Sequence, residues 1–226
     1  MLRKVELLLL LLIIAGLIVL NRNLVKLAAS DKVMVSENTI VLDPGHGGSD
    51  PGKVGVNGVL EKELNLQIAM LVKESLEKKN IQVIMTRTSD EMLCPHDTDN
   101  RKREDMRKRV EMINDANPIL AVSIHQNSYT DPTVSGAQVF YYFESEEGKR
   151  MAELMQKALL EVDVNNKRAA KANDNYYLLK KTNVPTIIVE CGFLSNPSEA
   201  EKLKTKEYQE SIANAIVNGI ETCIGN

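Results

Sequence analysis

The chain has 226 residues, 43% of them hydrophobic and 26% charged, with a formal charge of −3. That length builds one sizeable core and leaves no room for two ordinary domains beside an anchor. Without its first thirty residues it carries 24 basic against 30 acidic side chains, a charge of −6. This argues against nucleic acid as a partner and requires that any anionic polymer be held in a specific groove.

The chain opens on Met1-Leu2-Arg3-Lys4, then Glu6, then an apolar run from Leu7 to Leu20 closed by Asn21, Arg22 and Asn23. Fourteen apolar residues suit an export signal and fall short of the roughly 20 that span a bilayer comfortably. Ala28, Ala29 and Ser30 are small, but Lys26 separates them from the apolar core, which favours an uncleaved anchor over a cleaved peptide. Residues 1–30 are therefore expected to be a signal peptide or N-terminal membrane anchor with its linker. Arg3 and Lys4 place the N-terminus in the cytoplasm and the rest outside, a bias blunted by Arg22 and Lys26.

Residues 31–226 read as one domain. Thr39 to Leu42 is a short β-branched strand that runs into the loop Asp43-Pro44-Gly45-His46-Gly47-Gly48, which continues to about Gly58. Leu64, Ile68, Leu71, Val72 and Leu76 recur at helical spacing and predict a helix from about Lys62 to Lys79. A strand follows at Gln82–Met85, then a charged loop with Pro95 and His96, and a helix over Asn100–Asn117. Strands are expected at Ile119–His125 and Ala137–Phe143, and a helix at Gly148–Val162. Beyond a basic stretch come a short strand near Tyr177–Leu179, another at Thr186–Glu190, and a last helix from about Tyr208 to Ile224. The alternation predicts an α/β fold: a mostly parallel twisted β-sheet with helices on both faces.

Ligands of such sheets bind beyond the carboxyl ends of the strands, and His46, His125 and Glu190 each fall there. A zinc hydrolase needs three nitrogen or oxygen ligands, an open position for water and a separate carboxylate to move protons. Two of the three histidines meet the first requirement, and Glu61, at the start of a helix after the glycine loop, can supply a third ligand. Glu63 is two residues away and an acid at a helix start is also ordinary capping chemistry, so the residues alone do not separate the two. Cys94, Cys191 and Cys223 have no C-x-x-C spacing and indicate neither a disulfide framework nor a cysteine zinc site.

Four segments together resemble the zinc-dependent N-acetylmuramoyl-L-alanine amidases, the Amidase_3 family: Ile40–Gly48, Gly58–Leu66, Val122–Asn127 and Pro185–Asn196. The resemblance runs from about Thr39 to Ile224. It implies that His46, Glu61 and His125 bind Zn2+, that Glu190 is the catalytic carboxylate, and that the substrate is peptidoglycan. Hydrolysis would fall on the amide between the lactyl group of N-acetylmuramic acid and L-alanine of the stem peptide. Gln126 and Cys191 depart from the commoner Ala and Thr of the motifs. Asn127 and Arg168 are candidate substrate contacts, although the patch Lys167, Arg168 and Lys171 reads most simply as a solvated face. His96, in a polar loop, reads as a surface histidine.

Division amidases of this family carry a helical insert that covers the zinc, and the 65 positions from His125 to Glu190 leave no room for one. The compact plan resembles the sporulation and germination branch that works on the spore cortex. An exported enzyme at the outer face of the membrane or in the wall, down to the forespore intermembrane space, is the implied setting. An open site there implies control by timing, placement or an extracytoplasmic protein partner. The competing readings are a vegetative wall amidase, a non-catalytic wall-binding relative and a zinc peptidase acting within the stem peptide. A serine hydrolase is disfavoured, because no G-x-S-x-G elbow occurs.

Overall fold

The computed structural model describes residues 39–95 and 98–225. The expected export segment, its linker and His96 lie outside those residues. Among the described residues no helix is long and apolar enough to cross a membrane.

Six strands form one sheet: β1 (Thr39–Pro44), β2 (Gln82–Met85), β3 (Leu120–Asn127), β4 (Gln138–Tyr142), β5 (Lys171–Asn173) and β6 (Thr186–Phe193), in the order β2-β1-β3-β6-β4-β5. β2, β1, β3 and β6 run parallel, whereas β4 pairs antiparallel with β6 and parallel with β5. The expected mostly parallel α/β sheet is thus found, with two reversed strands at one edge.

Strand alternation distributes the core between two faces. Ile40 and Leu42 of β1, Leu120, Val122 and Ile124 of β3, and Ile187 and Val189 of β6 face one way. They pack against α1 (Glu61–Lys78), α3 (Glu146–Leu160) and α6 (Lys206–Ile224). Val41 and Ala121 point to the other face, against Val110 and Ile113 of α2 (Arg101–Ala116) and Leu178 of α4 (Tyr177–Lys181). A continuous apolar pattern along β3 follows from this two-sided cover.

Two expectations need correction. Tyr177–Leu179 is not a strand but the start of α4, and the short strand beside β4 is Lys171–Asn173. The side chain of Asn173 accepts hydrogen bonds from the amides of Asn175 and Tyr176, at 2.8 and 3.0 Å, and so turns the chain into the helix. The helical turn lets adjacent leucines both reach the sheet: Leu178 beside Val41, Leu179 beside Phe140 and Ile188. A strand would have sent them to opposite faces. The second correction is an additional helix, α5 (Pro197–Lys204). Asn196 caps it through the amides of Ser198 and Glu199, with Pro197 in the first turn, and that Asn-Pro-Ser-Glu run is a helix-start signal legible in the sequence.

Candidate active site

Register alone brings three side chains together. Pro44 of β1 pairs with Ile124 of β3, and His125 pairs with Glu190 of β6, so His46, just past β1, and His125 and Glu190, in the last half of β3 and β6, lie toward the carboxyl ends of three adjacent parallel strands. Glu61 enters from the first turn of α1. These residues line a cleft of ≈ 600 Å³ that also takes in Asn127, Tyr176 and Tyr177.

His46 Nε2 lies 3.2 Å and His125 Nδ1 2.9 Å from the same oxygen, Glu61 Oε1, and one donor atom from each residue falls within 4.8 Å of the other two. Two imidazole nitrogens and a carboxylate oxygen around one point form a group able to hold a metal ion, and they are donor types that zinc accepts. Glu61 is 2% exposed and Glu63 is exposed, so position now separates the two carboxylates.

Each donor is braced. His46 takes a left-handed backbone, φ 63°, uncommon for a residue with a side chain and frequent where function fixes the geometry. Its Nδ1 meets Asp50 Oδ2 at 2.8 Å, and Lys102 holds the other Asp50 oxygen at 2.7 Å. A carboxylate behind a histidine ligand fixes its ring and raises its basicity. Burial lowers the His46 pKa, but Asp50 and Glu61 outweigh it and push the value up to about 9. Glu61 Oε2 accepts the amide of Lys53 at 2.7 Å, and Oε1 accepts that of Gln126 at 3.2 Å. Against the cost of burial, the two histidines hold its carboxyl far below the usual range.

Gln126, one of the two departures from the family motifs, joins this bracing. Its side-chain amide donates to Asn65, which donates in turn to Glu61 Oε1 and to the carbonyl of Gly45. Gly45 has a steric reason: a Cβ there would lie 2.1 Å from the His125 ring. Gly52, at φ +69°, would set one 2.5 Å from Glu61 Oε2.

Sequence reasoning missed a buried polar layer under the site. Asp43, 1% exposed, accepts from Arg109, Thr86 and Ser123, each at 2.6 Å. Arg109 also binds Asp105 and donates to the carbonyls of Pro44 and His46, while Arg87 donates to those of Pro44 and Gly45. Two guanidinium groups therefore fix the backbone of the histidine loop. Burial opposes ionisation of Asp43, but Arg109 and the two hydroxyls hold its carboxyl down at about 2. Breaking such a layer by removing one partner strands a buried charge. The available sequence signal was an arginine on the face of α2 opposite its solvent side, among many exposed charges that resemble it.

Glu190 is 6% exposed, and its Oε2 has no hydrogen-bond partner. Burial raises its pKa most, His125 pulls against that, Glu61 adds to it, and the result is about 7. A carboxylate poised near neutrality in a cleft is suited to taking up and returning a proton. Asn127 lines the cleft, with its side chain accepting from the amide of Ser128. Arg168 is not among the lining residues: it donates to Ser135 and Gln138 and stacks 4.7 Å above the ring of Phe193.

Comparison with known proteins matches residues 40–222 to the profile of the N-acetylmuramoyl-L-alanine amidases, Amidase_3. The germination-specific N-acetylmuramoyl-L-alanine amidase of Bacillus subtilis (strain 168) is 42% identical over 189 residues, 82% of this chain and 79% of that one. Among solved structures, the CwlD amidase of Clostridioides difficile, in complex with the GerS lipoprotein, superposes with a TM-score of 0.81 at 37% identity, covering 83% and 98% of the two chains. The amidase AmiC2 of Nostoc punctiforme gives 0.74 at 32% identity, covering 84% and 99%.

Proposed function

The chain belongs to the N-acetylmuramoyl-L-alanine amidase family, and from that premise we propose that it is a zinc enzyme acting on spore-cortex peptidoglycan. It cuts the amide between the muramic lactyl group and L-alanine, and the freed lactyl carboxyl is the group from which muramic δ-lactam is made. The observation that carries the reading is the convergence of His46, Glu61 and His125 on one point beside the buried carboxylate of Glu190. The cortex assignment draws on the likeness to the germination-specific relative.

His46, Glu61 and His125 would hold the ion. When bound, zinc supplies Lewis acidity that makes water a nucleophile near neutral pH and polarises a carbonyl oxygen. Glu190 takes the proton of the attacking water and delivers it to the departing nitrogen of L-alanine as the C–N bond breaks. The products are a lactyl carboxylate and a free peptide amine. Asp50 and Asn65 keep their ligands oriented through this cycle, and Arg87 and Arg109 hold the loop beneath them. Asn127 reaches the cleft and is a candidate for contact with the glycan or peptide.

The N-terminal apolar segment from Leu7 to Leu20 supports export and retention at the outer face of the membrane, in the forespore intermembrane space for a cortex enzyme. The lipoprotein complex of the Clostridioides difficile relative supports an extracytoplasmic partner for this chain too.

Chelation tests the metal. Dialysis against a strong chelator is expected to abolish hydrolysis of muropeptides, and about one equivalent of zinc to restore it. Full activity in protein shown by plasma emission to be metal-free would overturn the zinc reading.

A further inference from the structure

We infer that Tyr176 is a positioning residue whose hydroxyl steers the carboxylate of Glu190 during proton transfer, an inference that rests on the role proposed for Glu190. The Tyr176 hydroxyl lies 3.5 Å from Glu190 Oε1. Among the described residues it is the one hydrogen-bond donor found on that side chain, and the second oxygen, Oε2, has none. A buried carboxylate with a single donor has one direction in which it is steered.

The approach is built by the fold. The Asn173 turn leads into α4 with Tyr176 as its N-cap residue, and the ring of Phe140 meets the Tyr176 ring edge-on at 5.6 Å between centroids. Phe140 stands on β4, which pairs with the Glu190 strand. Ring and carboxylate are thus carried by neighbouring parts of one sheet and its overlying turn. Packing against Phe140 needs only an aromatic ring, so the hydroxyl requires a separate explanation. Tyr176 is half-buried, and its hydroxyl meets a polar partner in Glu190. Burial first, then the charge of Glu190, pushes the phenol up to about 12, so the group is a donor at neutral pH.

A length of 3.5 Å is long for such a bond, and catalytic hydrogen bonds of ligand-free sites commonly tighten in the reacting complex. As Glu190 gains and loses its proton, the hydroxyl favours the ionised form and keeps Oε1 engaged. This leaves Oε2, the buried oxygen without a partner, as the one that exchanges the proton.

The test is a double-mutant cycle on the zinc-loaded protein with a soluble muramoyl-peptide as substrate. Tyr176→Phe keeps the ring and its packing. It is expected to lower kcat roughly tenfold, the worth of one hydrogen bond to a charged group, with KM, zinc content and melting temperature unchanged. In the Glu190→Gln background the same change is expected to cost nothing further. Wild-type kcat in Tyr176→Phe, beside an inactive Glu190→Gln, overturns the role of the hydroxyl and leaves that of Glu190 standing. The same fold-loss in both backgrounds, or a change in KM alone, also overturns it, since the hydroxyl would then act on something other than Glu190. Full turnover in Glu190→Gln removes the parent reading, and the inference with it.

Discussion

His46→Ala and His125→Ala are each expected to lose bound zinc and activity together while the domain stays folded. The proposed ligand set has three members around one point, and a site left with two side chains offers too little to retain the ion. Folding should survive because the histidine loop is held by its backbone. Arg87 and Arg109 grip the carbonyls of Pro44, Gly45 and His46, and none of those bonds needs the imidazole. Removing the His125 ring opens space over Gly45 and takes one partner from the buried Glu61 carboxylate, which keeps its contacts with His46, Lys53, Gln126 and Asn65. Plasma emission on protein purified with zinc should give about one ion per chain for the parent and near none for either variant, with unchanged circular dichroism. Full occupancy in both variants would sink the ligand assignment.

Glu190→Gln separates chemistry from metal. The amide keeps the shape and can still accept from Tyr176, but it cannot carry a proton, so turnover should fall roughly 10²-fold or more with zinc content intact. Near-parental activity would mean that another group is the base. The same variant carries a pH signature in the metal-free protein. The folded pKa of Glu190, about 7, lies above its ordinary value of 4.5, so the folded state prefers the protonated form. The associated stability is fully present below pH 4.5 and is lost as pH rises through about 7. The neutral amide has no such loss. Chelated Glu190→Gln is therefore expected to melt no lower than the parent at pH 8, with its relative advantage shrinking as pH falls toward 4.5. A site that trades stability for a proton carrier behaves this way.

Much of this site was legible because strand ends can be read one strand at a time. The runs Thr39–Leu42, Ile119–His125 and Thr186–Glu190 are apolar enough to be strands, and in a parallel sheet their carboxyl ends share one edge. Glu61 needed either the family pattern or the structure, because its distinction from Glu63 is one of direction around a helix. The segment near Tyr177 was misread since two tyrosines and two leucines look like a strand, while the Asn173 turn that overrides them acts at a distance of a few residues. The Asp43–Arg109 layer was hidden for a different reason. Its partners lie 66 positions apart, and the one arginine on the inner face of α2 stands among several exposed charges that resemble it. Gln126 stood out only as an exception to a pattern, and the structure connects it through Asn65 to Glu61.

The measurement closest to the central claim is mass spectrometry of muropeptides released from purified sacculi by the zinc-loaded domain. Cleavage at the muramoyl amide predicts free stem peptides beginning with an unblocked L-alanine, and glycan fragments whose muramic acid bears a free lactyl carboxyl. Glu190→Gln should yield neither above background. Fragments cut within the stem peptide, with L-alanine still attached to muramic acid, would contradict the account and make the cleft that of a zinc peptidase.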